Sequence, residues 1–221
     1  MSVFKKADIL LPCRDIDYGK WSVIACDQYT SQPEYWQRVE KKVGDAPSTL
    51  KIVFPEVYLS EGDKRIGKIN AQMNSYIENN IFDEYKNTLV FVERTQNDKR
   101  VRNGIVGAVD LEAYDFSKGS ESLIRATEGT VMERIPPRVR IRENAPLELP
   151  HILLLIDDAQ DTVIKKPKNA EKLYDFELME NGGHLAGYRI PDLEADFILE
   201  KLDKMEKTAQ GNLLFAVGDG N

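Results

Sequence analysis

The sequence predicts an α+β fold: a mixed, largely antiparallel sheet with hairpins, flanked by about three helices. Three observations predict it. Apolar residues recur at helical spacing in three separate segments. Two runs rich in β-branched and aromatic residues turn back on themselves across Asn, Asp and Gly. The helical and extended segments also alternate without a repeating strand–helix unit, which argues against a regular parallel sheet. Residues 1–221 are expected to form one such domain.

The first helix is expected over Gln32 to Val43. Ser31 and Glu34 make an S-x-x-E capping box, and Pro33 suits the first turn. Trp36, Val39 and Val43 share a face, and Gly44 is the stop. A second helix, Asp63 to Asn80, carries Ile66, Ile69, Met73, Tyr76 and Ile77 as its stripe. Thr88 to Thr95 and Val101 to Asp110 read as a hairpin turning at Asn97-Asp98. Leu149 to Ile156 reads as a buried strand. Leu173 to Leu178 and His184 to Ile190 form a second hairpin around Asn181-Gly182-Gly183. The third helix spans Leu193 to Lys207, with Asp192 as N-cap and Leu193, Phe197, Ile198, Leu202 and Met205 facing the core. Gly211 ends it, and Leu213 to Val217 is a short apolar strand.

Composition removes several function classes. The formal net charge is -7, so duplex nucleic acid is a poor partner, since binding it needs a basic face. No apolar run approaches the roughly 20 residues that span a bilayer, and no signal-peptide pattern follows Met1. A cytoplasmic location without membrane contact is the simplest expectation. The two cysteines, Cys13 and Cys26, form no CxxC pair, which argues against a disulfide scaffold and a zinc site. His151 and His184 lack partners at metal-ligand spacing, and no bound metal is assigned to the protein's own side chains.

Three stretches carry candidate chemistry. Gly218-Asp219-Gly220-Asn221 follows an apolar strand; a glycine turn there can cradle an anion, and Asp219 can act as base or metal ligand. Arg138, Arg140 and Arg142 alternate with Val139 and Ile141. As a strand they would present three guanidinium groups on one face, suited to phosphate; as a surface they would pair with Glu133, Glu143 and Glu148. Arg125-Ala126-Thr127-Glu128-Gly129-Thr130 gathers a cation, two hydroxyls and a carboxylate, able to bind phosphate while Glu128 takes a proton or a metal. An ordinary hydroxyl-stabilised turn explains the same residues. Arg134 lies between the last two stretches, and Asp27 and Tyr29 precede the first helix, whose N-terminus favours an anion. Asp157, Asp158 and Asp161, like Asp110 and Glu112, fit turn formation better than metal binding.

Five segments resemble the domain-of-unknown-function 1015 family: WSVIACDQYTSQPEY (21–35), NGIVGAVDLEAYD (103–115), SESLIRATEGTVMERIPPRVRIR (120–142), LPHILLLIDD (149–158) and the terminal FAVGDGN. The resemblance covers essentially the whole chain. It implies a distant relation to the ParB and sulfiredoxin-like superfamily, which includes nucleotide-hydrolysing and phosphoryl-transferring proteins. In that family the terminal motif runs on into a His and a helix, so the resemblance implies the N-terminal portion of a longer protein, with apolar surface near residue 217 that self-association would cover.

These readings together predict a protein that binds a nucleotide or phosphorylated small molecule, with Mg2+ as cofactor if phosphate is transferred or hydrolysed. Glu128 and Asp219 are the expected catalytic groups. Arg125, Thr127, Thr130, Arg134, Arg138, Arg140, Gly218, Gly220, Asn221 and Asp27 are the expected ligand contacts. A non-catalytic module for an anionic metabolite, and an interaction fragment with no ligand, are the alternatives. The expected partner is an anionic small molecule, with homo-oligomers allowed.

Overall fold

The computed structural model describes residues 2–24, 29, 32–129, 132 and 135–220. Its architecture is α+β, with antiparallel hairpins as expected. The chain begins with β1 (Phe4–Lys5) and β2 (Ala7–Pro12). A short α1 (Tyr18–Trp21) follows, capped by Asp17, whose carboxylate accepts from the Gly19 and Lys20 N–H groups. The helix α2 (Pro33–Val43) starts with proline in its first turn and ends at Gly44, where φ is 54°. The helix α3 (Gly62–Glu78) buries Ile66, Ile69, Met73 and Tyr76 of its expected stripe, whereas Ile77 is exposed. Ser31, the expected cap of α2, lies outside the described residues.

The strands β3 (Phe82–Thr88), β4 (Val90–Thr95), β5 (Val101–Val106), β6 (Ala108–Val109), β7 (Tyr114–Asp115) and β8 (Ile124–Ala126) come next. Then follow α4 (Ile135–Arg142), β9 (Leu153–Ile156), β10 (Glu171–Leu178), β11 (Gly183–Arg189), α5 (Asp192–Thr208) and β12 (Phe215–Asp219). No helix among the described residues is long and apolar enough to cross a membrane.

Two four-stranded sheets organise these elements. The first, β10-β11-β4-β5, is antiparallel throughout and contains both expected hairpins. Leu89 and Phe91 at its centre are fully buried against Ile190 and Ala195. The second sheet, β7-β8-β12-β9, is mixed. Its β7, β8 and β12 run parallel, and β9 returns antiparallel. Ile124, Phe215 and Val217 on its inner face bury against Leu202, with Ile198 and Met205 of α5 packed around them. Two pairs that the local sequence pattern does not announce, β1 with β6 and β2 with β3, tie the N-terminal segment to the rest.

Three expectations are corrected. Leu193 and Phe197 are 78% and 71% exposed, so the core face of α5 is carried by Ala195, Ile198, Leu202 and Met205. The N-terminal position of α5 is Pro191, without a side-chain cap, and Asp192 already lies inside the helix. The strand expected over Leu149 to Ile156 is confined to β9, because Pro150 has no N–H for a ladder, and it is not buried: Leu153 and Leu155 are exposed.

The first sheet is tied to α2 by an ion cluster. At the β10–β11 turn, Glu180 and Asn181 both adopt positive φ. Glu180 accepts from Arg38 at 2.8 Å and pairs with Lys42 at 2.5 Å, both on α2. The hydrogen bonds from Lys42 and then Arg38 hold its carboxyl below the usual glutamate value. A carboxyl whose folded-state pKa is depressed stabilises fully above its unfolded value, about 4.3, and loses that contribution as pH falls through the folded one. Acid titration of stability should therefore show a loss below about pH 4.3 that Glu180→Gln removes, measured by urea unfolding at each pH. On the same sheet, a Cβ at Gly187 would stand 2.1 Å from Tyr174 Cζ, so the ring lies directly on the glycine. Gly187→Ala should cost about 1–3 kcal/mol by urea unfolding.

Candidate functional site

Parallel pairing decides which of the candidate stretches meet. The β8–β12 register sets Ile124, Arg125 and Ala126 beside Phe215, Ala216 and Val217. One residue further, the Thr127 hydroxyl donates to the Val217 carbonyl at 2.6 Å. Thr127-Glu128-Gly129 and Gly218-Asp219-Gly220 therefore run on side by side from the last β8–β12 pair, at the carboxyl ends of two parallel strands. All six residues are exposed. Asp115, at the end of β7, joins the same edge; hydrogen bonds from Ser117 hold its carboxyl below the usual range. Sequence reasoning missed Asp115, because a two-residue strand has no periodicity to read.

The glycine-rich end differs from the expected turn. Gly218 and Asp219 belong to β12, where a bulge pairs Asp219 with Leu153. Only Gly220 bends, with φ at 87°, and a Cβ there would come within 2.8 Å of Ile152 Cγ2. His151 leads into β9 beside it. Crowding by protein atoms pushes its imidazole below the usual value, against the pull of the Glu148 carboxylate.

Among the described residues, the candidate arginines are not brought to this edge. The segment from Arg138 to Arg142 is helical in α4, not a strand. Pro136 and Pro137 are the reason: in a first helical turn the missing N–H groups have no partner to lose. Helical spacing leaves Arg138 and Arg142 on one side and turns Arg140 away. Arg138 meets Glu56 at 3.4 Å, Arg140 meets Asp63 at 2.6 Å and Arg142 meets Glu148 at 3.0 Å. Arg125 gives its Nε to the Ser122 carbonyl at 2.8 Å and an Nη to the Gly211 carbonyl, at the opposite end of β12. Asp27, Thr130, Arg134 and Asn221 lie outside the described residues.

The remaining acids behave as turn formers. Asp158 accepts from the N–H groups of Thr162 and Val163 and from the Thr162 hydroxyl. Asp110 accepts from Glu112 N–H and pairs with Lys5. His184 contacts Asp175 at 2.6 Å across the β10–β11 hairpin. Among the described residues no three His, Cys, Asp or Glu side chains gather into a metal-holding group. Two cavities, of about 220 and 290 Å³, lie away from the edge; Glu40, Lys51 and Arg65 line one, Glu171, Arg189 and Asp192 the other. Both expose charges of either sign, and neither includes a residue of the strand-end cluster, so the chemistry of the edge rather than concavity selects the candidate site.

Parallel strands that end together at an open, carboxylate-bearing edge, beside an antiparallel sheet, define the class: an α+β protein with a strand-end site. The chain belongs to the family described as protein of unknown function (DUF1015), which matches residues 10–221. No curated protein and no solved structure matches it.

Thr127→Val should cost about 1 kcal/mol, because the Val217 carbonyl loses its donor. Arg138→Ala should change stability by less than about 0.5 kcal/mol, since a half-exposed ion pair contributes little. Parallel urea titrations measure both.

Proposed function

We propose that the carboxyl edge of β8 and β12 binds a nucleotide or another phosphorylated small molecule. The observation that supports this most is the Thr127–Val217 hydrogen bond, which aligns the two strand ends. Loops diverge beyond the carboxyl ends of parallel strands, and ligands collect in the gap. Gly129 opens onto free space and Gly220 carries no side chain of its own, which suits close approach of phosphate oxygens to the backbone.

Glu128 and Asp219 fit Mg2+, which takes one or two carboxylates and completes its shell with water and phosphate oxygens. Magnesium held there would supply positive charge to offset that of the phosphate. Glu128 and Asp219 would orient it, and one of them could accept a proton from an attacking hydroxyl or water. Binding is favoured over turnover by the arginines: Arg125 is held by carbonyls, and Arg138 and Arg140 by acids, away from the edge where transferring charge would need them. Phosphoryl transfer is the second reading, favoured by the paired carboxylates.

Thermal unfolding with Mg-ATP, Mg-ADP and sugar phosphates tests the proposal. A ligand at 100 times its Kd should add about 2.7 kcal/mol, seen as a rise in Tm. Glu128→Gln and Asp219→Asn should each reduce that rise while leaving the unliganded Tm in place, and Arg138→Ala should leave it unchanged. If none of these probes moves Tm, the site does not bind phosphate. Release or transfer of phosphate during incubation would select the phosphotransferase reading.

A further inference from the structure

We propose that the free edge of β9 pairs with the same edge of a second copy, antiparallel about a two-fold axis through Leu154, joining two four-stranded sheets into one. The strand β9 has β12 on one side and, among the described residues, no strand on the other. The other edge strands of the two large sheets carry charge: Arg102 on β5, Glu171, Lys172, Asp175 and Glu177 on β10, and Asp115 on β7. Charged edges resist pairing with another chain. The edge β9 reads Leu153-Leu154-Leu155-Ile156 and has none.

The register follows from hydrogen-bond parity. The Asp157 N–H donates to the carbonyl of Leu214, the residue before β12, so odd-numbered residues direct their backbone groups inward. Leu154 and Ile156 then direct theirs to the free side. Pairing Leu154 with its own copy uses those groups and sets Ile156 opposite Ile152. The odd-numbered side chains lie on the outer face, where Leu153 and Leu155 are exposed, Leu155 at 54%. In this register Leu153 meets Leu155 of the second copy, twice. One step outward, His151 meets Asp157 of the second copy, also twice; both residues are exposed. The outer-face series His151, Leu153, Leu155, Asp157 is thus complementary to itself when reversed, with leucines at the centre and an imidazole–carboxylate pair at each end. The alternative axis through Leu155 would set Leu153 against Asp157 and lose both matches. Self-complementarity of hydrogen-bonding groups and apolar surface identifies the occupant as a second copy rather than an unrelated strand.

Sedimentation velocity over a concentration series tests it. The wild-type chain should shift reversibly from monomer to dimer. Leu155→Lys should remain monomeric at every concentration. His151→Asp should weaken the dimer about tenfold by placing two carboxylates opposite each other at both ends, and adding Asp157→His should restore it. Amide exchange of the wild-type chain gives a readout that needs no variant: Leu154 and Ile156 amides should gain protection with concentration. A wild-type chain that stays monomeric throughout, a Leu155→Lys chain that associates as before, or a double variant no tighter than His151→Asp would overturn the proposal.

Discussion

The parallel contact between β8 and β12 is the constraint on which the candidate site rests. It joins residues 124–126 to residues 215–217, so α4, β9, the β10–β11 hairpin and α5 all lie within one crossover. Closing so long a loop costs conformational entropy, although that cost grows only slowly with length. Burial offsets it: Ile124, Phe215 and Val217 are nearly inaccessible, and α5 lays Leu202 against them. Because the pairing is parallel, both chains leave at the same edge. An antiparallel pairing would have sent Glu128 and Asp219 to opposite ends.

What was legible in the sequence was local. The apolar stripe of α3, the glycine stop of α2 and both hairpin turns depend on residues a few positions apart, and each is found where its pattern sets it. Pairing between distant segments was not legible. The strand β2 carries an apolar run but no sign that its partner is β3, some seventy positions on. The candidate site divided the same way. That the Thr127 and Gly218 segments suit one anionic ligand was readable from their residue types; that they adjoin depended on a register no local pattern encodes. The alternating arginines fit a period of two, yet the two prolines before them favour a helix start, and that backbone preference prevailed. Leu193 and Phe197 fit the helical period of α5 but fall on its solvent side, since amphipathic spacing does not say how wide the buried stripe is.

Glu180 and the α4 arginines show why a charge pattern alone does not define a ligand site. Glu180 is nearly enclosed by Arg38 and Lys42, so its carboxylate holds a strained turn against a helix. Arg138, Arg140 and Arg142 are about half exposed; Asp63 and Glu148 opposite them are open to water, and Glu56 is more enclosed. Exposed pairs of this kind contribute little to stability and are screened by salt. In α4 the neutralising acids are Glu56, Asp63 and Glu148, so each guanidinium group is held by a separate partner.

That distribution bears on the charge state of any ligand at the β8–β12 edge. The chain carries a net charge of -7, and the edge adds the carboxylates of Asp115, Glu128 and Asp219. A bare polyphosphate would meet a repulsive field there, and the described guanidinium groups face elsewhere. Backbone N–H groups at strand ends supply only partial positive charge. A magnesium complex reverses the problem, because the same carboxylates that repel phosphate attract the cation it carries. Under the proposed function, then, magnesium is a condition of binding at this edge, and the acidity of the site becomes the means by which it selects a metal-complexed phosphate over a free one.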